Sequence, residues 1–185
     1  MFQEKIDAIE DAAQRLRRLD EQMGAVVPTW SMAPLVEAYQ AMRGASFLVA
    51  VIFAAEIGDV RRFDTPPQLM ASAWFRLGLV PGERSTGDTV RRSSLTLAGN
   101  RRARRALVEA AWTYRYPARV SEALRLRLEG LPKAVRDIAW KAQIRLCTRY
   151  RRLSAAGKKP PVVVAAIARE MAAFLWAIGR EVAPS

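Results

Sequence analysis

The chain of 185 residues is predicted to be all-α, mainly helical, with an irregular loop at 77–99. Three observations predict this. Apolar residues recur at three- and four-residue spacing over most of the length. Helix breakers mark the ends of those stretches: Pro28, Gly44, Gly58, Pro117, Gly130, Pro132 and Gly157. Between 77 and 99 the helical period disappears while glycine and proline recur. Half the residues are apolar, 51%, so the chain can bury a core.

The elements follow in order. Over 2–23, Phe2, Ile6, Ile9, Ala13, Leu16 and Met23 keep a 3–4 spacing among charges, with Asp20 interrupting the seam. This reads as a coiled-coil-like arm or a plain surface helix. Pro28-Thr29-Trp30-Ser31 ends it. Short helices over about 34–42 and 47–57 flank a turn at Gly44. That pair resembles a helix-hairpin-helix, whose turn amides touch a DNA backbone without reading sequence. An ordinary helical hairpin fits equally, with Ser46 capping the second helix. Gly58 is a natural stop. Asp64-Thr65-Pro66-Pro67 starts a helix reaching about Phe75. Leu79-Val80 and 94–97 read as short strands or as loop.

Asn100 is placed to cap a helix with one apolar face: Ala103, Ala106, Leu107, Ala110, Ala111 and Tyr114. A helix over about 119–129 follows. A long one then runs from Pro132 to about Ala155, with core positions Val135, Ile138/Ala139, Ala142, Leu146 and Leu153. Beside them lies a basic stripe of Lys141, Arg145, Arg149 and Arg152. The last helix, about 161–180, is apolar nearly all round and should be buried. The plan is an arm over 1–28 and a helical domain over 29–185.

Charge is divided unevenly. Net charge is +12. Residues 1–100 hold 11 Lys/Arg against 12 Asp/Glu, a net of −1; residues 101–185 hold 19 against 6, a net of +13. A basic half points to a nucleic-acid or other anionic partner contacted mainly by the second half; the plainer reading is a solvated helical surface. There is no histidine and one cysteine, Cys147. Ser-His and Cys-His dyads, the usual zinc sites and internal disulfides are therefore excluded. Cys147 falls mid-helix and reads as core. The charged first ten residues show no signal peptide. The apolar run 45–55 is too short for a bilayer, and Arg169 and Glu170 interrupt 161–179, so no membrane partner is expected. The expected location is cytoplasmic.

The chemistry concentrates at 77–115. Arg101, Arg102, Arg104 and Arg105 crowd the first turn of a helix. Cations are unfavourable at that positive end, whereas an anion would meet both free amides and guanidinium groups. Four solvated arginines are the alternative. Ser85-Thr86-Gly87 is by itself an ordinary turn sequence. Its neighbours Arg84, Arg91 and Arg92 make it a place where a hydroxyl could attack a phosphodiester without histidine.

Four stretches, 54–70 (AAEIGDVRRFDTPPQLM), 77–87 (LGLVPGERSTG), 95–121 (LTLAGNRRARRALVEAAWTYRYPARVS) and 137–153 (DIAWKAQIRLCTRYRRL), carry a resemblance. From about 35 to 182 the chain resembles the C-terminal half of transposases of the insertion-sequence 110 family, also labelled 116/902. The resemblance implies a DNA recombinase guided by a structured RNA, with the arm as part of its connecting coiled coil. In such enzymes an N-terminal RuvC-like domain holds magnesium through four acids, and a C-terminal serine becomes joined to DNA. Carried onto this chain, Ser85 is the implied nucleophile, with Thr86 taking the position in another alignment. Arg84, Arg91, Arg92, Asn100, Arg101, Arg102, Arg104 and Arg105 are the implied nucleic-acid contacts.

The chain departs from the family pattern in two ways. The acidic domain lies outside this sequence, and Glu56, Asp59, Asp64, Glu83 and Asp88 do not match its tetrad. The loop is also altered: 71–76 is longer than usual, Gly82 replaces a polar residue, and Ser93-Ser94 stands where glycines are common. The expectation is a DNA-binding C-terminal portion of a transposase that cuts and joins DNA through a serine. The alternative is an inactive truncated module that pairs with or inhibits intact transposase. A third reading is a basic RNA-binding protein unrelated to recombination. DNA and a structured guide RNA are the expected partners, together with a second copy or intact transposase through 2–23. No cofactor or metal site is expected in this chain; magnesium belongs with the acidic domain.

Overall fold

A computed structural model describes residues 1–66, 68, 81–86, 89–95 and 101–182, with the backbone course alone for 81–86 and 89–95. Seven α-helices and one two-stranded ribbon are described: α1 (Phe2–Val26), α2 (Ala33–Tyr39), α3 (Phe47–Ile57), β1 (Pro81–Thr86), β2 (Thr89–Leu95), α4 (Arg101–Ala111), α5 (Glu122–Leu128), α6 (Lys133–Ala155) and α7 (Pro160–Glu181). The fold is all-α in its mass, as predicted.

Helix α7 is the axis of the core. Val163, Val164, Ile167, Ala168, Met171, Ala172, Leu175 and Ile178 are all buried, at spacings that wrap well beyond one stripe. Helices α2, α4 and α6 pack against it. Small residues set the distances. The inner face of α4 is Ala103, Ala106, Leu107, Ala110 and Ala111, so its backbone approaches α7 and α3 closely. At Gly179 a Cβ would stand 2.6 Å from both Tyr39 Oη and Val60 Cγ2. Only glycine lets α2 and the 3-10 turn Val60–Arg62 pack there. Helix α7 is long and apolar enough to cross a membrane; in this fold its apolar faces form the interior.

Helix α1 is different. None of its residues is buried, and Phe2, Ile9 and Leu16 are 81%, 69% and 60% exposed. A 3-10 turn, Val27–Thr29, joins it to the rest.

Most predicted boundaries agree within a residue or two. Helix α3 matches at both ends, and Cys147 is buried. Some readings change. Helix α2 ends at Tyr39 rather than 42, because Ala41 and Met42 donate to the carbonyls of Ala38 and Tyr39 in tightening turns. Ser46 stands at the N-cap of α3 but its hydroxyl makes no cap bond. The irregular stretch at 77–99 contains an antiparallel hairpin. Its strands lie at Pro81–Thr86 and Thr89–Leu95 rather than at 79–80 and 94–97. At the next helix start Thr65 Oγ1 accepts from the Gln68 amide, and Gln68 Oε1 accepts from the Asp64 amide. The pattern differs from a capping box by one residue, since the second bond comes from the amide before the cap rather than from that of Thr65. The rest of that predicted helix, to Phe75, lies outside the described residues.

Candidate nucleic-acid interface

The burial of α4 decides where its arginines go. With the alanine face against α3 and α7, Arg101, Arg102 and Arg105 are exposed and Arg104 is half-buried. Arg105 Nε donates to Glu109 Oε1 at 2.7 Å, one turn on. Both side chains are largely exposed, 83% and 60%, so the pair is weak and easily exchanged for an anion. Arg102 and Arg104 also have interaction partners. Four cations in one first turn thus stand at the end where the helix dipole disfavours them. Asn100, the predicted cap, lies outside the described residues.

The hairpin orders the other predicted site residues. Arg84 lies opposite Arg91, Glu83 opposite Arg92, Ser85 opposite Val90 and Thr86 opposite Thr89. Ser85 and Thr86 therefore stand at the last positions of β1, next to Gly87 and Asp88, which lie outside the described residues. Arg84 and Arg91, seven apart in sequence, become direct register partners. Residues 96–100, between β2 and α4, also lie outside the described residues.

The turn at Gly44 is built into the fold. Gly44 has φ +83°, and a Cβ there would fall 2.5 Å from the Ala110 carbonyl oxygen and 2.8 Å from Thr113 Oγ1. Tyr114 Oη donates to the Arg43 carbonyl at 2.8 Å. Arg43 donates to the Pro117 carbonyl at 2.8 Å, and Arg127 to the Ala45 carbonyl at 2.9 Å. The amides of Ala45 and Ser46 donate within the turn, to Met42 and Gly44. These bonds lock the turn to α4 and α5 and leave those two amides no capacity for phosphate.

On α6 the predicted basic stripe is divided. Glu170 of α7, only 16% exposed, pairs with both Arg145 and Arg149, the latter at 3.0 Å. Lys141 and Arg152 remain exposed. The spacing of 25 residues hid that pairing from sequence reading. Gln143, which sequence reading missed, is buried because its Nε2 donates to the Arg119 carbonyl at 2.6 Å. A cleft of about 380 Å³ is lined by residues including Glu37, Gln40, Arg127 and Glu129, and by none of the predicted site residues.

Residues 36–124, from α2 into α5, match the family described as Transposase IS116/IS110/IS902 family. "Putative transposase y4qE" of Sinorhizobium fredii (strain NBRC 101917 / NGR234) is 57% identical over 155 residues, 84% of this chain and 39% of that protein. The chain belongs to the IS116/IS110/IS902 transposase family. "Transposase for insertion sequence element IS1533" of Leptospira borgpetersenii is 24% identical over 161 residues, 85% of this chain and 45% of that protein. The transposase-family match covers the turn at Gly44, the hairpin and all of α4, and so every predicted site residue, while the stripe on α6 lies outside it. The chain spans less than half the length of either relative. Membership supports a transposase-related function.

Proposed function

We propose that this chain is the DNA-binding C-terminal portion of a transposase. The observation that carries the proposal is 57% identity to a transposase over 84% of the chain, together with the arginine-rich start of α4 inside the family match. In this reading the guanidinium groups of Arg101, Arg102, Arg104 and Arg105, crowded at the helix start, hold phosphate. Arg84, Arg91 and Arg92 supply a second cationic group on the hairpin. Ser85, or Thr86 beside it, is the nucleophile. Its hydroxyl oxygen bonds to phosphorus, the bond from phosphorus to a deoxyribose oxygen breaks, and the proton passes to that leaving oxygen. The strand is then held as a serine phosphodiester, and reversal onto another strand end rejoins DNA. The resemblance assigns the metal-binding acids to an N-terminal domain, and the residues of this chain supply the binding and the serine. A structured guide RNA is a further partner on the strength of the resemblance.

A second reading rests on α1. None of its apolar residues is buried, which suits pairing with another copy or with a longer transposase. Such a chain would interfere with the intact enzyme.

One experiment tests the first reading. Duplex DNA binding by the chain should weaken in Arg101→Gln/Arg102→Gln, with the slope of log K against log salt shallower by roughly 0.9 per lost phosphate contact. With magnesium and the acidic domain of a relative supplied in trans, a covalent DNA adduct should form in the parent and vanish in Ser85→Ala while binding survives. An adduct that persists in Ser85→Ala and is lost in Thr86→Ala would move the nucleophile by one residue. No duplex binding at all would end the proposal.

A further inference from the structure

Helix α6 has an outer face that neither the core nor the interface above uses. At 3.6 residues per turn, Trp140 and Ile144 fall on the side opposite the buried line of Val135, Ala139, Ala142 and Leu146. They are 44% and 46% exposed, and as i,i+4 neighbours they form one apolar ridge. The helix carries seven Lys/Arg and a single acid, Asp137. Lys133 neutralises Asp137 at 2.8 Å, and Glu170 takes up Arg145 and Arg149. Arg136, Lys141, Arg151 and Arg152 are exposed and pair with no acid among the described residues. The unspent cations thus flank the indole on both sides and run on toward the helix C-terminus. From Arg136 to Arg151 the helix rises about 22 Å, the reach of several nucleotides.

Charge decides the occupant. A second copy would bring this cationic face against its like, whereas a polyanion would be attracted. The indole narrows the choice further. In a duplex the base faces are stacked away, and a half-exposed tryptophan gains nothing from phosphates. In an unpaired strand the bases offer flat apolar faces, and the flanking cations meet the phosphates. We propose that the outer face of α6 binds single-stranded DNA, with a base stacked on Trp140 against Ile144 and the backbone held by Arg136, Lys141, Arg151 and Arg152. The proposal rests on DNA being the partner. It adds a place for a strand parted from its complement, separate from the duplex contacts of α4.

The test uses the full chain and fluorescence anisotropy with labelled oligothymidylate and a mixed-sequence duplex of equal length. Trp140 lies outside the core, so Trp140→Ala should keep its helical circular dichroism and unfolding midpoint. It should bind oligothymidylate about tenfold more weakly, the scale of one lost stacking contact. Duplex affinity should change less than about twofold, and Trp140→Phe should recover most of the loss. Unchanged oligothymidylate binding in Trp140→Ala overturns the inference, as does an equal loss on both probes. Dependence on Trp140 for oligouridylate but not oligothymidylate overturns the assignment to DNA. Duplex binding together with oligothymidylate binding that does not depend on Trp140 removes this inference alone, whereas no binding of either probe removes the DNA-binding reading as well.

Discussion

Tyr39 and Tyr114 are both fully buried, but they differ in what their hydroxyls meet. Tyr114 donates to the Arg43 carbonyl, while the Tyr39 hydroxyl has no hydrogen-bond partner among the described residues and packs edge-on to Phe53, ring centroids 5.2 Å apart. Removing an oxygen that bonds nothing costs little; removing one that serves a buried carbonyl strands its partner. Tyr39→Phe is therefore expected to unfold within about 1 kcal/mol of the parent or above it, and Tyr114→Phe about 1–3 kcal/mol below it, measured by urea unfolding. Burial raises the pKa of both phenols, with Asp59 adding to the effect on Tyr39 and Cys147 on Tyr114. The folded state therefore holds its phenol protons above pH about 10, where the unfolded chain releases them. The stability tied to this is fully present below pH about 10 and falls as pH rises beyond it. Each Tyr→Phe change should flatten that alkaline loss.

Between elements, the junction of α6 and α7 rests on one acid serving two bases. Glu170 is 16% exposed, Arg149 36% and Arg145 61%. Solvent screens most of the Arg145 contact, so the energy resides mainly with Arg149. Glu170→Ala leaves a half-buried cation facing α7 without its acid, and a loss of about 1–2 kcal/mol in urea unfolding is expected. The contrast is Arg125 of α5, which bridges Glu122 on the same helix and Glu129 at its C-cap, with all three exposed. Glu129→Ala should shift stability by less than about 0.5 kcal/mol. A loss at Glu129 equal to that at Glu170 would show that burial is not what distinguishes the two clusters.

For the whole molecule, the arm and the helical body make different contributions. None of the α1 residues is buried, so the body does not depend on it for a core. Residues 27–185 should keep the unfolding midpoint of the full chain at high dilution, within the few degrees that about 1 kcal/mol represents at this size. If the apolar seam pairs two chains, the full chain should sediment as a larger species, with a midpoint that rises with concentration. The shortened chain should do neither. A shortened chain that fails to fold would place the arm inside the body's core.

What the sequence by itself determined was local and periodic. Helix α3 ends where it was read because Gly58 stops it, and α4 turns its alanines inward because they recur on one face. Family membership was legible because several motifs stand in order along the chain. What only the tertiary structure decided depends on distant partners. Arg145 and Arg149 read as free cations until α7 brings Glu170 beside them. Gln143 carries no sign of burial in the sequence, and only the fold brings the Arg119 carbonyl to it. The turn at Gly44 reads equally as a DNA contact or an ordinary helical hairpin, and only the fold shows Tyr114, Arg127 and the Ala110 carbonyl closing on it. The hairpin at 81–95 was hidden because its residues are mostly polar and carry no alternating pattern, so its register is a matter of backbone pairing. Periodicity reports which side of an element is buried; it carries no information about which residue, dozens of positions away, arrives to meet it.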